Sequence, residues 1–362
     1  MIILEGLRIF KNSVKKKIRR EEHSGSAEEI CRKIIDKCWN EKKEYFMVSN
    51  GNFSQFWARD FGMCIESLIH LGYKDKVRLT LKYAMDKYRK TGRITTQITP
   101  KGKPIDFPSF TPESASYMLN SLLILNDKKL IEENQDLFKK IAKKIRKEDV
   151  KAGFLRKDKT YSSMKDHSNR ISDCYNNCFL YLFSQNLKKI GVYELDLQVE
   201  DFKAKFWTGK YFKDDLSGHN VCSSDANVYP YWTGLIKDKK MLDSSIEEIR
   251  KRKLDKPYPL KYTRREDIKH KFHFADMLVS GYERDTSWVH LGMNYLEIVG
   301  KTDVKLLKEY LKVYEKLILK HKNFLEVYDS NGKPFSRLLY ESDENMLWSC
   351  IWLSLKTRYA SL

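Results

Sequence analysis

Five short segments gather carboxylates, guanidinium groups and aromatic rings at spacings that could do chemistry. The first, Phe56-Trp57-Ala58-Arg59-Asp60-Phe61-Gly62, opens a predicted helix with aromatics, a guanidinium and a carboxylate. Rings stack on the apolar C–H faces of a sugar, and charged groups hydrogen-bond vicinal hydroxyls. The same residues also read as a helix-starting carboxylate in a salt bridge. The second segment runs from Ser162 to Asn177, a polar loop leading into an apolar helix, with Asp166 on the loop and Asp173 at the helix start. Asp is a favoured N-cap, which gives Asp173 a structural reading. Asp166 has no cap to serve, although loop Asp is common. The third and fourth segments, Asp225 to Trp232 and Tyr282-Glu283-Arg284-Asp285-Thr286-Ser287-Trp288, also read as capped helices with core aromatics. In the fifth, Glu326-Val327-Tyr328-Asp329 stands at a turn signal, Asp-Ser-Asn-Gly, and Leu347-Trp348-Ser349-Cys350 begins a last apolar helix.

The elements that must position these residues are helical. Apolar side chains recur at three- and four-residue steps, which predicts helices over 26–40, 59–72, 75–90, 112–125, 128–147, 172–190, 198–206, 225–235, 241–252, 285–299, 303–322 and 343–357. Lys- and Glu-rich stretches such as 127–150 suit exposed outer helices. Some connections are short; others, at 91–111, 150–171, 207–224 and 253–284, are long and carry Gly, Pro and aromatics. The alternation suggests paired helices with one functional face, in a single domain over 23–362 behind a basic lead-in at 1–22. That lead-in, with Lys15, Lys16, Lys17, Arg19 and Arg20, reads as a solvated terminal helix able to make weak contact with an anionic membrane surface.

Composition narrows the class. Gly (16) and Pro (8) make up about 7% of the 362 residues, against an average near 12%. All-β sandwiches and barrels need more turn residues than that. Hydrophobic residues at 41% are enough for a core, which argues against wholesale disorder. Seven cysteines, at 31, 38, 64, 174, 178, 222 and 350, show no paired spacing and suggest reduced thiols in the cytoplasm. No leader or transmembrane stretch is expected. His270/His273 and Cys174/Cys178 lack a matching second pair, so no metal is expected, and no nucleotide-binding loop or Ser elbow is present. No cofactor is expected.

Taken in order, the five segments resemble glycoside hydrolases of the six-hairpin, (α/α)6-barrel type over about residues 50–355. The group includes processing α-glucosidase I, mannosylglycerate hydrolase, trehalase, neutral invertase and the glucosidase part of glycogen debranching enzyme. Trp57-Ala58-Arg59-Asp60-Phe61-Gly62 is similar to the early Arg-Asp-Phe of neutral invertases and the Gly-Arg-Asp of debranching enzymes. Asp166-His167-Ser168-Asn169-Arg170 resembles the stretch holding the catalytic acid, and Glu326-Val327-Tyr328-Asp329 the one holding the base. Here Met164-Lys165 stands where that group usually has Gly-Trp or Gly-Leu, which leaves Asp173 as a rival acid. The resemblance implies an all-α (α/α)6 toroid, an inverting mechanism with Asp166 as acid and Glu326 as base, and an α-glucoside as substrate class. Inversion requires the two carboxyls to stand roughly 6.5–9.5 Å apart. Trp57, Arg59, Asp60, Trp232, Arg284, Trp288 and Tyr328 are the candidates for holding the sugar.

Two other classes compete. An epimerase or phosphorylase could use the same barrel, with His290 and His219 as an epimerase's acid and base. A formal charge of +19, from 68 Lys+Arg against 49 Asp+Glu, raises nucleic-acid binding. The basic residues are interleaved with acidic ones along most helices, so no nucleic-acid partner is expected.

Overall fold

The computed structural model describes residues 2–269, 271–272 and 279–359. His270 and His273 lie outside them. Among the described residues there are fourteen α-helices: α1 (Ile2–Ile18), α2 (Ala27–Lys37), α3 (Ala58–His70), α4 (Lys74–Thr91), α5 (Glu113–Leu125), α6 (Lys128–Glu132), α7 (Gln135–Glu148), α8 (Cys174–Lys189), α9 (Val199–Phe206), α10 (Ser224–Trp232), α11 (Lys239–Lys251), α12 (Val289–Val299), α13 (Val304–His321) and α14 (Ser349–Arg358).

Six of them pack in a closed circuit. α3 lies against α5, α5 against α8, α8 against α10, α10 against α12, α12 against α14, and α14 returns to α3. The other long helices flank this circuit: α4 on α3 and α5, α7 on α5, α9 on α8, α11 on α10, α13 on α12 and α14, and α2 on α14 and α13. Side-chain chemistry sorts the two layers. α8 is buried from Cys174 through Ser184, and α12 buries every residue except Glu297. An all-round buried helix must be surrounded by protein. α7 instead buries only Leu137, Phe138, Ile141, Ala142 and Ile145, the 3,4-spaced stripe, and turns its lysines to water. Burying each large side chain of that stripe is worth about 1.5–3 kcal/mol.

Local signals set the ends. Ser26 and Glu29 form a reciprocal capping box on α2, and Asp127, Asp173, Asp238 and Asp303 cap α6, α8, α11 and α13. The predicted helix 128–147 is two, because the chain turns at Glu133-Asn134, where the Asn134 side chain donates to Leu130 O at 2.7 Å. The last helix starts at Ser349, not 343. Residues 343–347 spend their backbone N–H groups elsewhere: Asp343 N on the Glu326 carboxylate, Asn345 N on Asn323 Oδ1 and Leu347 N on Val48 O. The helix predicted from 285 starts at Val289, because Ser287-Trp288 pairs antiparallel with Val327-Tyr328.

The basic lead-in differs most from expectation. α1 docks on the body: Lys16 is buried and ion-paired with Asp343 at 2.5 Å, and Arg8 holds Gly51 O and Asn52 O. No described helix is long and apolar enough to cross a membrane. All seven cysteines are free and buried.

Candidate active site

The site lies where the six inner helices begin. Contacts between neighbouring helix starts close a second circuit there. Arg59 on α3 faces Glu113 on α5 (3.4 Å), and Thr111 before α5 donates to Asn176 on α8 (2.8 Å). Arg170 before α8 reaches Asp225 on α10 (2.6 Å), and Ser224 N on α10 bonds Tyr262 O. The Tyr262 hydroxyl meets His290 Nε2 on α12 (3.3 Å), and the His290 ring packs at a tilt on Trp348 before α14 (4.7 Å between centroids). Trp348 Nε1 then donates to Asp60 on α3 (3.1 Å). Two-residue ladders brace this end: Phe56-Trp57 with Gln97-Ile98, and Ser287-Trp288 with Val327-Tyr328. Six helix N-termini here favour negative charge, and the carboxylates of Asp60, Glu113, Asp173, Asp225, Glu283 and Glu326 are all buried.

Asp166 is the more accessible carboxylate, with 19% of its side chain exposed. Its Oδ1 accepts from Ser162 Oγ (2.6 Å) and its Oδ2 from Arg59 Nη2 (3.2 Å). Arg59 is itself fixed by Ser163 O (2.5 Å) and Glu113. Asp173 sits differently. It caps α8, accepting from Asn176 N (2.9 Å) and Asn176 Nδ2 (3.0 Å), with Arg170 at 3.5 Å. Burial raises its pKa, but its oxygens are committed to the helix start.

Glu326 is held by three donors. The Tyr282 hydroxyl bonds Oε1; the Tyr340 hydroxyl (2.7 Å) and Asp343 N (2.9 Å) bond Oε2. Its backbone carbonyl accepts from Val289 N, tying it to the start of α12. Burial, and then the Asp343 charge, push its pKa up to about 7. The two halves meet through His167, whose ring packs on Tyr282 (5.6 Å) and whose backbone N–H donates to Glu283 Oε2 (2.8 Å). Burial pushes Glu283 and Glu113 up to about 7 as well, and holds His290 well below its usual value and therefore neutral. Trp57 Nε1 and His167 Nδ1 are buried without a hydrogen-bond partner among the described residues. Each can serve a polar ligand.

The structure thus brings Arg59, Asp60, Asp166, Glu326 and Trp288 into one ring of contacts; Trp288 packs on Tyr282 (4.6 Å) and donates to Tyr282 O (3.0 Å). Trp57, at the start of α3, packs on Phe53 and Phe107. Arg284 is half-buried in the turn following Glu283. Two predicted residues are elsewhere. Trp232 is at the far end of α10, where Nε1 donates to Glu297 at 2.5 Å. The Tyr328 ring packs on Tyr258 and His321. Tyr282, Glu283, Tyr340, Asp343 and Glu113 join the site without having been singled out for it, and so does His290, which the sequence offered only as an epimerase's acid or base. Only the Tyr282-Glu283 pair lay inside a segment flagged for chemistry; nothing in the sequence marks Tyr340 or Asp343.

No protein-family profile and no curated protein sequence matches the chain. Solved structures do match it. They include a rhamnosidase from Klebsiella oxytoca with rhamnose bound (TM-score 0.64, 10% identity, 92% of this chain and 63% of that one). A mannosylglycerate hydrolase from Thermus thermophilus in complex with Tris gives TM-score 0.59 at 12% identity, covering 92% of this chain and all of the other. A Glu-to-Ala variant of a glycosidase in complex with glucose gives 0.65 at 12% identity, covering 93% and 97%. The chain spans about two thirds of the rhamnosidase and the whole of the hydrolase. It has the helical fold of these glycoside hydrolases.

Proposed function

We propose that the chain is an inverting glycoside hydrolase acting on a small sugar or oligosaccharide, with the closed circuit of six helices and the helices flanking it forming one (α/α)6 toroid over 23–362. The observation that carries the reading is Glu326: a buried carboxylate aimed by Tyr282, Tyr340 and Asp343 N at the helix-start end, with Tyr282 packed on the ring of His167, the residue next to the partly exposed Asp166. Asp166 gives its proton to the leaving glycosidic oxygen while Glu326 takes one from the water that attacks the anomeric carbon. The products are a free alcohol and a sugar of inverted configuration. Arg59, Asp60 and the unpartnered Trp57 Nε1 hold hydroxyls, and Trp288 supplies an apolar face. An α-glucoside is the substrate class favoured by the resemblance of the five segments. Free buried thiols suit the cytoplasm.

Glu283 favours a second reading of the acid. It is buried, neighbours Asp166 and holds its proton to about pH 7, as a general acid must. An epimerase is less well supported: His290 is enclosed by Tyr262, Trp288 and Trp348, and His219 is exposed on 217–220. The test is a screen of α-glycosides with the product anomer followed by proton NMR. We expect β-sugar to appear first, and Glu326→Gln and Asp166→Asn each to lose about 10²–10⁴-fold in kcat. Retained configuration, or full activity in both variants, refutes the assignment. If Glu283→Gln alone removes the alkaline limb of the pH profile, the acid is Glu283.

A further inference from the structure

Over its described side chains, Arg8 and Phe10 to Ile18, α1 is mounted inside out. Its polar row faces the protein: Arg8 and Asn12 bond Gly51 O, Ser13 Oγ accepts from Glu341 N, Lys16 pairs with Asp343, and beyond the helix Arg20 pairs with Glu341. Its apolar row, at the same four-residue spacing, faces water. Phe10, Val14 and Ile18 are 40%, 41% and 82% exposed. The Lys17 ammonium bonds Arg337 O and Leu338 O, which sets beside that row the loop carrying Leu338 (84% exposed) and Leu339 (41%). Of the eight large hydrophobic side chains exposed among the described residues, five are gathered here. A second exposed row, Lys11 and Lys15 on the helix and Arg19 just past its end, runs alongside.

We infer that this face is a docking surface for an anionic lipid bilayer, with α1 lying in the interface plane. An apolar row bordered by lysines and arginine is the pattern of an interfacial helix, whose apolar side sinks below the headgroups while its cations meet acidic lipids. Charge selects this occupant. A second copy seated symmetrically would oppose Lys11, Lys15 and Arg19 to themselves on a chain that already carries +19. A nucleic acid would use the cations and leave Phe10, Val14 and Ile18 in water. Docking does not compete with folding, because the polar row already fastens α1 to the body.

Sedimentation of the full chain with sucrose-loaded vesicles tests this without any enzymatic readout. At about 0.1 M salt the protein should pellet with vesicles containing about 30% phosphatidylserine and at least about tenfold less with pure phosphatidylcholine. Phe10→Asp/Ile18→Asp should lower binding about tenfold or more, with its melting temperature unchanged because both side chains are exposed. Lys11→Glu/Lys15→Glu should do the same through charge alone. The inference is overturned if the wild type stays in the supernatant with phosphatidylserine vesicles, if both variants pellet as it does, if light scattering shows a dimer that Phe10→Asp/Ile18→Asp dissolves, or if generic RNA binds equally well to the wild type and Phe10→Asp/Ile18→Asp.

Discussion

Replacing Lys16 with methionine removes the cation that compensates Asp343. The pair is 2.5 Å long, and its side chains are 5% and 0% exposed. Among the described residues, Asp343 would keep only the Ser49 hydroxyl (2.5 Å) and Asn52 N (2.9 Å) as donors. Breaking one side of a buried pair costs about 3–5 kcal/mol. An unfolding entropy of about 2.1 cal/mol/K per residue gives this chain about 0.76 kcal/mol/K, so the melting temperature should fall by about 4–7 °C. The second consequence concerns Glu326. Its pKa of about 7 is already raised by burial and by the Asp343 charge; with Lys16 gone that charge acts uncompensated. The acid limb of the kcat/KM profile, where the base must ionise, should therefore move to higher pH by about one unit. Calorimetry and a pH–rate profile read the two effects separately. Adding Asp343→Asn to Lys16→Met should restore both in part, since no buried charge is then stranded. A Lys16→Met protein melting within 1 °C of wild type, with an unmoved acid limb, refutes the reasoning.

Two further outcomes follow from the same geometry. Asp173→Asn keeps an N-cap oxygen on α8, so its kcat/KM should stay within about tenfold of wild type while Asp166→Asn loses much more; the reverse order in steady-state kinetics would make Asp173 the acid. Glu297, half-buried and pushed up to about 7 by burial, binds protons more tightly folded than unfolded. Its contribution is full below about pH 4.5 and lost as pH rises through 7, by about 1–3 kcal/mol. Glu297→Gln should therefore narrow the difference in melting temperature between pH 5 and pH 8, by about 1–4 °C.

Hydrophobic period alone separates the two layers of helices, since a helix that buries every face, like α8, and one that buries a stripe, like α7, have different sequences. Cap chemistry is equally local: Asp173 announces the start of α8, and its structural reading is what the hydrogen bonds show. Asp166 and Arg59 were legible as candidates because loop carboxylates and a helix-start guanidinium are short-range features. Their pairing across 107 residues was not. Trp232 shows the limit of spacing. At about 1.5 Å per residue, seven residues from Asp225 carry it about 10 Å along α10, to Glu297 at the opposite end. The net charge misleads for the same reason. It sums a lysine-rich outer surface with a site crowded by buried carboxylates, and only the folded chain separates the two. Tyr340 and Asp343 bond Glu326, and Lys16, 327 residues from Asp343, pairs with the Asp343 carboxylate beside it. No local preference encodes such a meeting; it exists because closing the ring of helices brings both ends of the chain to one place, where burial makes each hydrogen bond and charge count.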